Sequence, residues 1–216
     1  MSDDLIFREV DEDVRRERME AAWKRYGGLA LGGALLIVAI VAGSVFWKDY
    51  EKSSREEQGA RFEAARSLLV EERYAEAAAA FEALAADAGD GYRLLADLRA
   101  AEARALAGES DAALSAYQRM LQASVGDEGT ADVIRMKAAL LALETQGAEA
   151  AMVQLGDLAE RDGPFRSAAR EIKAAALLAK GDREAALTEL RAIAEDQAAT
   201  QLQRERINRF ILSLGG

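Results

Sequence analysis

From Gly27 to Trp47 the chain carries no charge, and beyond it apolar residues return every three or four positions almost to the C-terminus. At 1.5 Å per residue the uncharged run spans about 31 Å, close to the ~30 Å hydrocarbon core of a bilayer. Ten of its residues are Leu, Ile, Val or Phe. Trp23 and Tyr26 flank one end and Phe46, Trp47 and Tyr50 the other, as in the aromatic belts of a spanning helix. The pattern therefore predicts a retained transmembrane helix over 27–47. The run exceeds the roughly 7–15 apolar residues of a cleaved signal, and its far end is a poor cleavage site. Arg15, Arg16, Arg18, Lys24 and Arg25 precede it, against Lys48, Lys52 and Arg55 after it. That bias predicts an inside N-terminus and an outside C-terminal domain. Within the span, Gly28 and Gly32 form a GxxxG pair that would let a second helix approach closely and leaves a homo-oligomer open. Glycines are also common in membrane helices that pair with nothing.

The tail 1–26 places Ile6, Val10, Val14, Met19 and Trp23 at loose helical spacing, with acidic residues ahead of basic ones. It reads as an amphipathic segment at the membrane surface, with docking to a partner as the other reading. Residues 48–61 read as a charged helical connector.

The rest of the chain repeats. A turn followed by an Ala-rich helix recurs as EERYAEAAAAF, GESDAALSAY, GAEAAMVQL and GDREAALTEL. With Glu72, Gly108, Gly147 and Gly181 as equivalents, the units begin 36, 39 and 34 residues apart. A further apolar-periodic stretch precedes each turn: Phe62, Ala65 and Leu69; Leu95, Leu98 and Ala101; Val133, Ile134, Leu140 and Leu141; Phe165, Ile172, Ala176 and Leu177. Breaks fall at 88–91, 126–129 and 162–164, with Pro164 placed for a helix's first turn. The expectation over 62–216 is four antiparallel helix pairs closed by a helix over 198–214.

Composition fits an all-helical reading. About a fifth of the chain is Ala, and it holds one Pro, no Cys and no His. The missing His and Cys remove the usual general base, the zinc ligands and the Ser-His-Asp triad. No catalytic, cofactor or metal residue is expected, and the chain reads as no enzyme. Asp87, Asp90 and the neighbouring glycines lack the 12-residue calcium-loop pattern, and Gly89-Asp90-Gly91 lacks the Lys-Ser/Thr of a phosphate loop. A net charge of −10 argues against nucleic acid.

Helix pairs repeating near 34 residues resemble the tetratricopeptide repeat. The small residue of its second helix is matched by Ala77, Ala113, Ala151 and Ala186, and the bulky one four later by Phe81, Tyr117, Leu155 and Leu190. The Trp/Leu/Gly/Tyr signature of the first helix is mostly replaced by alanines. The layout as a whole, with echoes in SVFWKDYEKS and RERINRFILSLG, is similar to the ancillary subunit family of the SecYEG translocon. That resemblance implies a single-pass protein of the bacterial inner membrane, with a cytoplasmic N-terminus and a periplasmic repeat domain. It also implies protein partners: translocon subunits, periplasmic chaperones and newly exported clients, beside the lipid bilayer. The Arg-rich tail departs from the family pattern.

The expected fold is thus all-α: a transmembrane helix, a tetratricopeptide-like solenoid and a C-terminal capping helix. The first helices of the pairs would line a binding face through Tyr92, Arg93, Arg99, Arg135, Lys137, Arg166, Arg170 and Lys173. Such a basic line would suit an acidic or extended peptide; the same residues also read as ordinary solvated positions. The expected function is a membrane-tethered interaction module that recruits chaperones or holds clients at the translocon. The other reading is a scaffold or coordinator for cell-envelope assembly or division.

Overall fold

The computed structural model describes residues 40–41, 43–123, 126–197 and 199–215. The expected span over 27–47 lies outside them apart from Ile40, Val41 and 43–47; the tail 1–26, with Gly28 and Gly32 of the span, lies wholly outside. Two compact units divide the chain, residues 1–57 and 58–216. In the first, residues 43–57 are helical and almost entirely exposed. Phe46, Trp47 and Tyr50 are each at least two-thirds exposed, and none of the described residues of the unit covers them. Among the described residues no helix is long and apolar enough to cross a membrane.

The second unit is all-helical among its described residues. Its helices are α1 (58–70), α2 (Tyr74–Asp87), α3 (Asp90–Leu106), α4 (Ser110–Gln122), α5 (Glu128–Thr145), α6 (Ala148–Leu155), α7 (Arg166–Ala179), α8 (Arg183–Ala194) and α9 (Gln201–Ser213). Each packs on its neighbours in sequence, and α5 also touches α7.

Alanines make this close packing feasible. Ala77, Ala113, Ala151 and Ala186 are at most 1% exposed, and Phe81, Tyr117, Leu155 and Leu190, one turn later, at most 3%. The methyl group lets the adjacent helix approach, and the bulky residue fills the space beside it. Phe81 meets Phe62 of α1 edge-on at 5.2 Å between ring centroids. Burial then passes along the stack through α3 to α6, around α5 to α7, and into α7 to α9, where Ile207 and Ile211 anchor the last helix. Each layer is stabilised chiefly by the next, as in other repeat proteins.

Three of the four turns share one geometry. Glu72, Gly108 and Gly181 have φ of 58°, 82° and 82°. In each, that residue's N–H reaches the carbonyl three back, and the following N–H reaches the one five back, as in Glu72 to Leu69 and Arg73 to Leu68. This is the Schellman end of a helix, which favours glycine at its left-handed position. The third turn differs. Gln146 stays at φ −121°, and the reversal falls one residue later on Gly147, at φ 93° and ψ −178°. Only glycine adopts that conformation readily. The shift accounts for one residue of the uneven repeat spacing in the sequence.

Other expectations change in detail. Pro164 sits in the turn ahead of α7, not in its first helical turn, because half-buried Phe165 packs into the core as the N-cap residue. Helix α6 is only eight residues long, stopped by Gly156 at φ 59°. After it, Leu158 and Ala159 are buried in irregular backbone. Leu95 and Leu140, expected on packing faces, are 50% and 52% exposed.

Candidate functional site

Helices α5, α7 and α9 enclose a groove of about 590 Å³. Val133, Met136 and Leu140 of α5 form one wall, and Ile207 and Phe210 of α9 the other. Along α7, Ala168 and Ala175 flank Ile172, and their short side chains give the groove its depth. Leu140 and Phe210 (42% exposed) remain open to solvent. Three charged residues complete the lining: Lys137, Glu171 and Arg206. Arg206 Nη2 donates to both Glu171 oxygens at 2.6 and 2.7 Å, and Gln203 adds a third bond at 3.2 Å. The pair ties α9 to α7 across the lip.

Of the eight residues expected on a basic face, the seven cations are held in hydrogen bonds or ion pairs. Tyr92 is half-buried with its ring 6.1 Å from that of Phe62. Arg93 donates to the Ala88 carbonyl at 3.2 Å. Arg99 and Lys137 both bind Glu102, joining α3 to α5. Burial by itself would raise the Glu102 carboxyl, but these two cations outweigh it and hold it below the usual carboxylate range. Arg135 binds Asp132 at 3.0 Å. Arg166 binds Asp162 and, at 2.9 Å, Asp196. Arg170 donates to the Ala159 carbonyl at 3.0 Å and lies 3.8 Å from Glu189. Lys173 binds Glu160 and Glu189 at 2.6 and 2.7 Å. Burial would lower its ammonium; the two carboxylates reverse that and raise it. Of the eight, only Lys137 lines the groove.

Asp132, the one buried charged residue among those described, also receives Arg161 at 2.6 Å. It thereby fastens the irregular 156–165 segment to α5. A second, polar cavity of about 400 Å³ lies among α2, α3 and α4, where Glu82, Asp97, Arg104 and Arg119 stand over alanines. Burial pushes the Asp97 carboxyl up, with Arg93 and Arg119 opposing. Among the described residues no group of three acidic side chains is placed to hold a metal.

An apolar groove built between successive helix pairs, with its lining carboxylate paired at the lip, belongs to a helical-repeat stack. Residues 21–211 match the family described as tetratricopeptide repeat-like domain, and the chain belongs to that family. Domains of this kind are generally non-catalytic modules that bind proteins. No curated protein and no solved structure matches the chain.

Proposed function

We propose that the protein is a membrane-tethered interaction module at the protein-export translocon, which recruits periplasmic chaperones or holds newly exported clients in the α5–α7–α9 groove. The observation that carries the reading is the groove itself: apolar walls from three helices that converge on one open volume, with Leu140 and Phe210 exposed along it. Tethering is supported by the exposed apolar helix around Phe46 and Trp47 and by the uncharged 27–47 run that leads into it. A helix apolar on all sides needs a core or a bilayer around it. The export setting is supported by the layout of tail, span and repeats.

The test is a photo-crosslinking residue at Leu140 or Phe210 in intact cells. Adducts with translocon subunits, periplasmic chaperones or exported chains are expected at both positions and not at Val153, which is 78% exposed outside the groove. Adducts confined to wall or division proteins would replace this reading with the envelope scaffold.

A further inference from the structure

Resting on the groove reading above, we infer that the segment bound there is an amphipathic α-helix whose apolar stripe is flanked by carboxylates, read by the arginines of α9. Two observations lead to this. The first is what lines the walls. Val133, Met136 and Leu140 recur at helical spacing over about two turns, roughly 10 Å. Every lining group is a helix residue, so no strand edge or free backbone donor is on offer. An extended peptide would bury its own N–H and C=O groups there without partners. A helix satisfies its backbone internally and presents anchors at i, i+3 or i+4, and i+7, matching the wall.

The second is charge. Residues 58–216 carry 19 Lys and Arg against 26 Asp and Glu, yet α7 and α9 are each formally +2. The third groove helix, α5, is formally −1, and the cations of α7 are bound by carboxylates outside the lining, so the cationic wall is α9. On α9, Arg206 gives its Nη2 to Glu171, and its Nε and Nη1 meet no partner among the described residues at a side chain 57% exposed. Arg209, a turn further on, is exposed with no ion-pair partner among the described residues. Lys137, on the opposite wall, is already bound by Glu102. The only carboxylate in the lining, Glu171, is already neutralised by Arg206. The donors left over are those of α9, on Arg206 in the lining and on Arg209 a turn beyond it, and in an acidic domain they select against a basic flank and favour an acidic one.

The test uses the full chain in lipid nanodiscs and labelled helical peptides of about eighteen residues, long enough to hold some helix in water. All carry the same Leu stripe; the flanks are Glu, Lys or Gln, and one Glu-flanked version has a central Pro. Fluorescence anisotropy should show the Glu-flanked peptide binding about tenfold more tightly than its Lys twin, the sum of several exposed charge contacts. The advantage should shrink with added salt. The Pro version should bind at least about tenfold more weakly, since Pro breaks the helix. Arg206→Gln with Arg209→Gln should reduce the Glu/Lys ratio to about two. Arg209→Gln alone, which disturbs no contact, should reduce it part of the way. Leu140→Asp, at a half-exposed position that can fold, should abolish binding of every peptide. Equal affinities for Glu and Lys flanks would overturn the charge selection, and undiminished binding of the Pro version would overturn the helix; both would leave the groove standing. Binding indifferent to Leu140→Asp, or no binding by any peptide, would instead overturn the groove reading itself.

Discussion

Replacing Glu72 with glycine should make the protein more stable, although it deletes a side chain at a position the other Schellman turns give to glycine. Glu72 is the one non-glycine with positive φ among the described residues, at 58°. Holding a residue with a Cβ in the left-handed region costs about 1–2 kcal/mol. Glycine relieves that strain but returns about 0.5–1 kcal/mol through the greater freedom of the unfolded chain. The net gain for Glu72→Gly is then about 0.5–1 kcal/mol, or about 1–4 °C in Tm for a protein of this size. Nothing else is lost, because the neighbouring Glu71 and Glu76 make the bonds to Arg73. Glu72→Gln keeps the strain and removes the charge, so it should leave stability where it was. The reverse exchange, Gly108→Ala, should cost a similar 0.5–1 kcal/mol, about the strain less the entropy gained. Gly147→Ala should cost more, about 1–3 kcal/mol, because φ 93° with ψ −178° is nearly closed to side chains. An added Cβ meets no atom within 4 Å at either glycine, so the difference between them is backbone strain and not a clash. Urea unfolding followed by circular dichroism measures all four variants. A destabilised Glu72→Gly, or a Gly147→Ala no costlier than Gly108→Ala, would refute the assignment of the turns.

Phe81→Ala should cost about 3–5 kcal/mol, since the ring is fully buried against Phe62; hydrogen exchange should quicken in α1–α3 far more than in α8 and α9, because layers couple to neighbours. Asp132→Ala should cost about 1.5–3 kcal/mol, the range for hydrogen bonds to a charged group, and no more because Arg135 and Arg161 are about one-third exposed and can take up water; limited proteolysis should then cut first between 156 and 165. Two carboxyls should respond to pH with opposite sign. Glu102 is held low in the folded protein, so its stabilisation is present above the unfolded value near about 4.3 and lost as pH falls through the folded one. Glu102→Gln should therefore weaken the protein at pH 7 and converge on wild type in acid. Asp97 is held high by burial, so what it contributes is present below about 3.9 and lost as pH rises; Asp97→Asn should be neutral to stabilising at pH 7, with the gain gone in acid.

Which features were legible beforehand follows from the range of the interactions that create them. The alanines of the second helices and the bulky residues after them are local spacings, and they mark buried positions because every layer repeats the same contact. The third turn carried a weaker sign, one residue of its odd spacing, since glycine at 147 and glutamine at 146 exchange the places that the other turns would give them. The groove had no such mark. Leu140 and Phe210 look like any other periodic apolar residues, and only the distance in sequence between α5, α7 and α9 decides that they face each other across open space. The pairing of the cations expected on a basic line was hidden for the same reason. A helix projects cations at fixed angles, but what they meet depends on carboxylates from other layers: Glu102 draws in Lys137, and Glu189 collects Arg170 and Lys173. In a stack of nearest neighbours, charges that can reach the next layer are used to hold it. A ligand is then left with the cations of α9, where Arg206 gives Glu171 only part of its guanidinium and Arg209 has no ion-pair partner among the described residues. That is why Arg206 and Arg209 on α9, and not the arginines of the inner layers, are the side chains to change first when binding is measured.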